Sequence, residues 1–268
     1  MESPGEGFDT EHTPRPRERH PAGSGPAARW GPLALALRAR HAGEEDAVLR
    51  VRSDLAEEEE WPASLFFREE AEMPAIERAA LDLCGPRVVD VGAGAGPHAL
   101  ALQRRGHDVL ALDSIPELSD LMRERGVRRV AVGGPEAAPR GRADTVLILM
   151  NGLGLAGTLA GLAPLLRSAA GALAPGGRIV ADSTDLRGPC GDVARDDGRY
   201  VGEVQFQLEF GGARGEPFGF LYVDPETLSL HARSAGLDVV ETRDFGDGTY
   251  LAVLALADTR TGEDEDRE

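Results

Sequence analysis

From residue 75 onwards, the apolar and polar positions of the chain follow two alternating patterns. Short, continuous apolar runs such as 145–150 are separated by segments in which apolar residues recur every three or four positions. A continuous apolar run of this length is typical of a strand buried on both faces of a parallel sheet, and the longer spacing is typical of an amphipathic helix. The pattern therefore predicts a right-handed, doubly wound α/β sheet.

Glycine and proline set the expected limits of these elements, because proline is tolerated at the start of a helix and glycine favours its end. The predicted strands are 87–91, 108–113, 128–132, 145–150 and 178–181, and the predicted helices are 75–83, 97–105, 116–126, 158–174 and 225–235. Two last strands, 237–242 and 249–256, are joined by a Gly-Asp-Gly turn and should form a closing antiparallel hairpin.

The pattern differs outside this core. Residues 203–210 alternate polar and apolar side chains, which predicts a strand with one buried face, and 218–223 would be its partner. A helix at 30–42 and a short strand at 48–51 are expected before the core. These divisions predict four segments: a disordered tail (1–29), an N-terminal cap (30–74), a main domain (75–257) with a β insertion at about 186–223, and an acidic disordered tail (258–268).

Composition narrows the classes of partner. The 268 residues include 46 acidic and 29 basic side chains, a net charge of −17, which argues against a nucleic-acid partner because phosphate contacts need a basic face. No apolar stretch reaches the ~20 residues that span a bilayer, and the N-terminus lacks a signal-peptide core. Cys84 and Cys190 form no close-spaced metal or redox pattern. We therefore expect a cytoplasmic protein without a metal site, and the sequence does not indicate its oligomeric state.

The segment VVDVGAGAG (88–96) is the most informative in the chain. A glycine turn between a strand and a helix lets the backbone approach a ligand closely, and the helix N-terminus attracts an anionic group. Asp113 ends the next strand, where a carboxylate can accept both hydroxyls of a ribose. The G-x-G-x-G order and Asp90 differ from the G-x-G-x-x-G fingerprint of dinucleotide sites, which disfavours a dinucleotide-linked oxidoreductase.

Asp90, the G-x-G-x-G turn and Asp113 together resemble the first motif of class I S-adenosylmethionine-dependent methyltransferases. LAPGGRIV (173–180) and the closing hairpin are similar to the same family, over about residues 75–257. LMNGLGLAGTL (149–159) and FFREEAEMP (66–74) resemble a subgroup of small bacterial methyltransferases. The resemblance implies a mostly parallel, seven-stranded Rossmann-like sheet, S-adenosylmethionine as the cofactor and methyl transfer as the reaction. The fold does not indicate the acceptor.

The resemblance also implies roles for individual residues. Asp90 would position the methionine end of the cofactor, Asp113 would accept the ribose hydroxyls and Ile115 would pack against the adenine. The full set of implied cofactor-binding residues is Asp90, Gly92, Ala93, Gly94, Gly96, Asp113, Ser114, Ile115 and Asn151. The family commonly has an acidic residue that accepts the adenine amino group, and Gly133 and Gly134 stand at that place here. Glu136 or a backbone carbonyl would then accept the amino group instead.

The acceptor is expected beside the cofactor, at the carboxyl ends of the fourth and fifth strands. Asn151 and Asp182 are the candidate catalytic residues at these ends, and Ser183 is expected to face the same crevice. Two interpretations stay open for each of them, contact with the acceptor or capping of a strand end or loop. His98, at the start of the helix after the glycine turn, is interpreted as a helix-end or solvent-facing imidazole.

The segments outside the core should cover this crevice. We hypothesise that Asp54, the Glu57–Glu60 run, Trp61 and Tyr222 form an aromatic, acidic rim suited to a cationic or polar small molecule. The predicted function is methyl transfer to such a molecule. The alternative is a non-catalytic protein that binds S-adenosylmethionine as a regulatory or partner subunit.

Overall fold

The computed structural model describes residues 25–55, 58–190 and 197–257 of the chain. Its helices are α1 (Pro26–His41), α2 (Ala75–Asp82), α3 (Pro97–Arg104), α4 (Pro116–Glu124), α5 (Leu159–Ala172), α6 (Arg187–Cys190) and α7 (Pro225–Ser234). Its strands are β1 (Val48–Ser53), β2 (Glu59–Pro62), β3 (Arg87–Val91), β4 (Asp108–Asp113), β5 (Val130–Val132), β6 (Ala143–Ile148), β7 (Leu173–Thr184), β8 (Glu203–Phe210), β9 (Ala213–Arg214), β10 (Phe218–Leu221), β11 (Leu237–Asp244) and β12 (Thr249–Leu256).

The main sheet has seven strands in the order β11-β12-β7-β6-β3-β4-β5. Strands β3 to β7 pair in parallel, while β12 runs antiparallel to both β7 and β11. The predicted doubly wound, Rossmann-like sheet with a terminal antiparallel hairpin is therefore confirmed.

Strand β6 shows why its sequence is apolar throughout. Val146 and Ile148 belong to the apolar cluster that contains Leu162 of α5, while Leu147 belongs to the cluster that contains Leu102 of α3. Because neighbouring side chains of a strand point to opposite faces, helices on both sides of the sheet require an apolar residue at every position.

A second sheet, in the order β10-β8-β1-β2 with β9 beside β8, joins the N-terminal segment to the insertion. Strand β1 lies antiparallel to β8, with Arg50 opposite Glu209 and Ser53 opposite Phe206. The predicted alternation of 203–210 is confirmed, since Val204, Phe206 and Leu208 are buried. Both segments were expected near each other, but their pairing in one sheet was not predicted.

The buried face of the second sheet is aromatic and packs against the main domain. The Phe206 ring lies 5.3 Å from Phe220, 6.0 Å from Trp61 and 6.4 Å from Tyr222, measured between ring centroids. The same cluster includes Ile115, next to the end of β4. Burial of each large apolar side chain here contributes about 1.5–3 kcal/mol, so the second sheet is held firmly beside the strand ends.

Helix α1 begins four residues earlier than predicted, so residues 26–29, which were assigned to the disordered tail, are helical. Pro32 lies inside the helix rather than at its first turn and cannot donate to the carbonyl of Ala28. Glu216 supplies the missing N–H and donates to the Ala28 oxygen at 2.8 Å. The proline thus frees a carbonyl that ties the helix to the insertion. Residues 1–24 and 258–268, most of the two predicted tails, lie outside the described residues.

Candidate active site

The glycine turn and Asp113 meet at the carboxyl end of the main sheet. Gly94 donates its N–H to Asp113 Oδ2 at 3.0 Å, and Ile115 donates to Oδ1 at 2.9 Å. Ser114, between the two, is exposed, whereas Asp113 and Ile115 are buried. Burial raises the pKa of Asp113 to about 6, against the stabilising effect of these N–H groups. Each carboxylate oxygen keeps a further lone pair, so Asp113 still has capacity to accept from a ligand.

The glycines of the turn have different neighbours, although Gly92, Gly94 and Gly96 all adopt positive φ. A Cβ at Gly96 would lie 2.9 Å from Val127, inside the core, so this glycine allows helix α3 to pack closely. A Cβ at Gly94 would meet only the Phe66 ring, at 3.8 Å. The space at Gly94 is therefore open to a ligand that approaches the backbone.

Asp90 lies one residue before the end of β3 and is only 1% exposed. Its Oδ2 atom is buried and has no hydrogen-bond partner. Burial raises the pKa of Asp90, and this effect is partly opposed by the charge of His98 and the N–H of Ala99. An unpaired buried carboxylate oxygen costs free energy, so the site favours a ligand that brings a cation or a donor to it.

A strained turn follows β6, whose last residue is Ile148. Met150 and Asn151 both have left-handed backbone conformations, with φ of 64° and 55°. Asp182, at the end of the neighbouring strand β7, accepts the N–H of Gly152 at 3.1 Å, and Asn151 Oδ1 accepts the Thr184 hydroxyl at 2.8 Å. The structure thus brings the two candidate catalytic residues to one turn. Strain of this kind often lies at functional sites.

Burial raises the pKa of Asp182 to about 6, while the N–H groups of Asn151 and Gly152 favour its ionised form. The sequence predicted that Ser183 faces the same crevice as Asp182, but it does not. Its hydroxyl accepts the N–H of Val223 at 2.9 Å on the other side of β7. Adjacent residues of a strand point to opposite faces, so only one of the two can reach the crevice.

Residues 152–156, which follow the strained turn, lie between the glycine turn and the second sheet. The Leu155 side chain would be 2.9 Å from a Cβ at Gly92. On the other side, a Cβ at Gly154 would overlap the Phe220 ring of β10. The glycine-rich sequence of this segment therefore allows the second sheet to approach the crevice.

His98 lies at the N-terminal end of α3, as interpreted from the sequence, but it is buried and not solvent-facing. Its side chain is 5% exposed, and its Nε2 atom lies 3.0 Å from Oε2 of Glu77 in helix α2. The other oxygen of Glu77 accepts a hydrogen bond from Nη2 of Arg68, at 2.5 Å. Burial lowers the pKa of His98, but the Glu77 hydrogen bond and the charges of Asp90, Glu77 and Asp182 raise it by more.

The sequence did contain a signal for this cluster. The buried face of helix α2 comprises Ile76, Glu77, Ala80 and Leu81, so a glutamate occupies a core position of an otherwise apolar stripe. Buried carboxylates are almost always paired, and a search for a cationic partner among nearby helices would have indicated His98.

Three of the side chains expected in the rim, Glu59, Trp61 and Tyr222, lie near one another. Trp61 donates its indole N–H to Glu59 at 3.1 Å, and Tyr222 contacts the same Phe206 ring as Trp61. Burial and the nearby charge of Glu59 raise the pKa of Tyr222 to about 12. Asp54 is instead paired with Arg199 at 2.8 Å and holds the end of β1. Of the acidic run, Glu57 lies outside the described residues.

Glu136 accepts the N–H of Gly134 at 2.9 Å, so one of its oxygens is engaged within its own loop.

Within residues 25–55, 58–190 and 197–257, no group of three or more His, Cys, Asp or Glu side chains is placed to hold a metal ion. In the same part of the chain, no helix is both long and apolar enough to cross a membrane.

The chain is similar to proteins of known structure over most of its length. A S-adenosylmethionine-dependent methyltransferase from Bacteroides fragilis, solved in complex with S-adenosyl-L-homocysteine, has a TM-score of 0.76 and 35% sequence identity, and the match covers 87% of this chain and 97% of that one. The CcbJ methyltransferase from Streptomyces caelestis shares the fold, with a TM-score of 0.54 and 21% identity, over 71% of this chain and 93% of that chain.

Sequence comparisons give a shorter match. No protein-family model matches the chain. A segment of 50 residues is 44% identical to part of the magnesium-protoporphyrin O-methyltransferase of Rhodobacter capsulatus. The matched segment makes up 19% of this chain and 22% of that protein. The chain thus matches about a fifth of the length of this curated relative.

Proposed function

The chain belongs to the S-adenosylmethionine-dependent methyltransferases, and on this premise we propose that it methylates a small molecule held between the main sheet and the second sheet. The observation that carries the cofactor assignment within this proposal is the pair of buried carboxylates at one edge of the main sheet. Asp113 is fixed by two backbone N–H groups, and Asp90 has an unpaired oxygen. A ligand with both a ribose and an ammonium group satisfies both carboxylates.

The proposed cofactor site uses the residues around this edge. Asp113 would accept the ribose hydroxyls, Asp90 the ammonium group, and the open space at Gly94 would admit the cofactor close to the backbone. The remaining contacts are proposed for Gly92, Ala93, Gly96, Ser114, Ile115 and Asn151. S-adenosylmethionine supplies an activated methyl group on a sulfonium, so the chain mainly has to orient the acceptor and exclude water.

The proposed acceptor site lies on the side of the strained turn after β6. Asn151 would orient the accepting atom, and Asp182, whose pKa is raised to about 6, would accept a proton near neutral pH if the acceptor must lose one. Trp61, Tyr222 and Glu59 on the second sheet favour a cationic or polar molecule of small size. The net charge of −17 disfavours a nucleic-acid acceptor.

The test is to incubate the full-length protein with methyl-labelled S-adenosylmethionine and separate panels of small amines, small hydroxylated compounds, RNA and unrelated proteins. Release of S-adenosylhomocysteine and transfer of label are measured together. Label in a small-molecule panel is the expected result. Label confined to RNA or protein would overturn the small-molecule proposal, and tight cofactor binding with no transfer to any panel would favour the non-catalytic alternative.

Two aspartates of β4 provide a test variant and its matched control. Asp113→Asn should lose transfer because the ribose contact is weakened. Asp108→Asn, at the opposite end of the same strand, changes only an exposed ion pair with Arg129 and should retain it.

A further inference from the structure

A cleft of about 470 Å³ opens between the start of helix α1, the segment 154–158 and strand β10. Its volume lies within the range of sites that hold small organic molecules, about 300–1,000 Å³. Besides the segment 154–158, its lining includes Arg29, Trp30, Leu155, Gln205, Glu216 and Phe218. None of these side chains has a role in the proposed function above, so the cleft is a further feature that needs an explanation.

The cleft and the crevice of the main sheet share one wall. The Leu155 side chain lines the cleft, and it also reaches the glycine turn, where it would lie 2.9 Å from a Cβ at Gly92. Gly154, beside it, donates its N–H to the carbonyl of Asn151 at 2.8 Å. A molecule in the cleft therefore lies next to the strained turn at which the acceptor site is proposed.

Two aromatic rings form an apolar wall of the cleft. The Trp30 and Phe218 rings lie 4.3 Å apart between centroids and are tilted by 42° to each other. Glu216 donates its N–H to the carbonyl of Ala28, which fixes the start of α1 to the insertion that carries Phe218. Trp30 is only partly buried, so its ring offers apolar contact area to an aromatic ligand.

Two glycines keep one side of the cleft free of side chains. A Cβ at Gly219 would lie 2.7 Å from the carbonyl oxygen of Gly157, and a Cβ at Gly157 would lie 3.3 Å from the carbonyl oxygen of Gly219. The two backbones thus approach closely and hold the segment 154–158 at a fixed distance from β10. Because the cleft is formed before a ligand binds, less conformational freedom is lost on binding.

Two side chains of opposite charge line the same cleft. Arg29 and Glu216 are both exposed, and neither side chain makes a hydrogen bond or an ion pair within the part of the chain that the structure describes. The guanidinium of Arg29 only donates hydrogen bonds, whereas the carboxylate of Glu216 only accepts them. A ligand that carries both a carboxylate and an ammonium group pairs with both side chains and adds no net charge to the cleft.

We propose that this cleft binds the part of the acceptor that is not methylated, and that the acceptor is an aromatic molecule with an α-amino-acid group. Arg29 pairs with its carboxylate, Glu216 pairs with its ammonium group, and Trp30 and Phe218 pack against its ring. The other end of the ring carries the accepting oxygen or nitrogen past Leu155 towards the glycine turn. This inference rests on the methyl transfer to a small molecule proposed above, and it names the class of that molecule.

The transfer step for such an acceptor is a displacement at the methyl carbon. A lone pair of the accepting oxygen or nitrogen forms the new bond to that carbon. The bond from the carbon to the sulfonium breaks, and its electron pair stays on the sulfur of S-adenosylhomocysteine. The proton of the accepting group passes to Asp182, the base of the proposed function.

The first test is calorimetric titration of the full-length protein with four probes at millimolar concentrations. Free tyrosine carries both charged groups, para-hydroxyphenylpropionate carries only the carboxylate, tyramine carries only the ammonium group, and para-cresol carries neither. Arg29→Gln should weaken the two probes with a carboxylate about fivefold, the size expected of an exposed charge pair, and leave the other two within twofold of wild type.

Glu216→Gln provides the complementary variant. It should weaken free tyrosine and tyramine about fivefold and leave the two probes without an ammonium group within twofold. Arg128→Gln and Glu45→Gln are the matched controls, because both residues are exposed and lie outside the cleft, and they should change no affinity.

The aromatic wall is tested with the same probes. Trp30→Leu should weaken all four by a similar factor, about fivefold, whichever charges they carry, and Trp30→Phe should restore most of the affinity. Failure of every probe to bind the wild type, or losses in Arg29→Gln and Glu216→Gln that do not follow the charges of the probe, would overturn the proposed ligand class.

Methylthioadenosine tests whether the cofactor site is intact in these variants. It keeps the ribose and adenine of the cofactor but lacks the amino-acid end, so it has no charged group for Arg29 or Glu216. Its affinity should be the same in wild type, Arg29→Gln and Glu216→Gln. A loss in either variant would show that the substitution disturbs the glycine turn, and this result would contradict a role confined to the acceptor.

The second test is transfer of label from methyl-labelled S-adenosylmethionine to free tyrosine, dihydroxyphenylalanine, aminophenylalanine and hydroxytryptophan. Label in at least one of them is expected, with KM raised about fivefold in Arg29→Gln and in Glu216→Gln. Transfer only to molecules without an amino-acid group, at a rate that neither variant changes, would overturn this inference and leave the proposed function intact. Charge-dependent binding without transfer to any small molecule would instead overturn the proposed function.

Discussion

Asp113 accepts the backbone N–H of Gly94 across the ends of two neighbouring strands, at 3.0 Å. Its second oxygen accepts the N–H of Ile115, at the start of helix α4. One side chain thus fixes the glycine turn after β3 and the loop after β4 before any ligand is bound. Because less conformational freedom is then lost on binding, this arrangement favours cofactor affinity.

The first prediction concerns this carboxylate. Asp113→Asn should weaken binding of S-adenosylhomocysteine at least tenfold, about 1.4 kcal/mol, because the amide has one acceptor oxygen where the carboxylate has two. Calorimetric titration measures the effect, with Asp108→Asn as the matched control. Unchanged affinity in a folded Asp113→Asn variant would contradict the ribose role.

Cofactor affinity should depend on pH. The pKa of Asp113 is raised to about 6 by burial, so lowering the pH through 6 protonates the carboxyl and removes acceptor capacity for the ribose. The affinity for methylthioadenosine should therefore rise about tenfold from pH 5 to pH 7. Titrations at several pH values in one buffer system measure the profile.

The matched variant identifies the group responsible for this profile. In Asp113→Asn the dependence should be largely absent, since the amide does not titrate. If the pH profile persists in this variant, another group is responsible for it. Asp182, whose pKa is also raised to about 6, is then the candidate.

Two glycines of the turn should respond differently to the same substitution. Gly96→Ala would place a methyl group 2.9 Å from Val127 and 3.2 Å from Met122, in addition to the cost of a left-handed alanine, so we expect a loss of stability of about 2–4 kcal/mol. Gly94→Ala has only Phe66 nearby and should lose about 1–2 kcal/mol, but it should weaken the cofactor because the methyl group enters the open space.

Chemical denaturation and calorimetric titration of both variants measure these effects. The expected result is the larger loss of stability in Gly96→Ala and, among folded protein, the larger loss of affinity in Gly94→Ala. The reverse order of stabilities would show that the turn is packed differently from the arrangement described.

Asn151 can be tested for capping against contact with the acceptor. Asn151→Gly removes the amide but suits the left-handed backbone, so its stability should stay within about 1 kcal/mol of wild type. Both variants lose the Thr184 hydrogen bond, but Asn151→Ala also keeps the left-handed strain, which should cost about 1–2 kcal/mol more than Asn151→Gly. Denaturation curves measure both.

Turnover of the accepted small molecule then separates the two interpretations of Asn151. If the amide contacts the acceptor, both variants lose turnover by at least tenfold. If Asn151 only caps the turn, Asn151→Gly keeps wild-type turnover, and this outcome would remove Asn151 from the proposed catalytic residues.

The sequence predicted the core elements well where neighbouring residues decide them. The strands at 87–91, 108–113 and 203–210 begin and end as expected. The strand predicted at 145–150 ends at Ile148, because Met150 and Asn151 adopt left-handed conformations that an apolar pattern does not reveal. Such strain is imposed by the surrounding structure, here the bond from Gly152 to Asp182.

Contacts between distant segments were predicted less well. His98 was interpreted as a helix-end or solvent-facing imidazole; it does lie at the end of α3, but its ring is buried and paired with Glu77. The Ser183 prediction was wrong because the sequence places Asp182 and Ser183 side by side, while the pleat of the strand separates their side chains.

The sequence by itself determined the order of strands and helices, the glycine turn and the acidic residues that follow two of the strands. These features depend on periodicity and on backbone conformations that glycine and proline control locally. Only the tertiary structure decided that β1 pairs with β8, and that Glu77 contacts both Arg68 and His98. Pairings of this kind depend on which distant surfaces meet when the whole chain packs, and no local pattern encodes that choice.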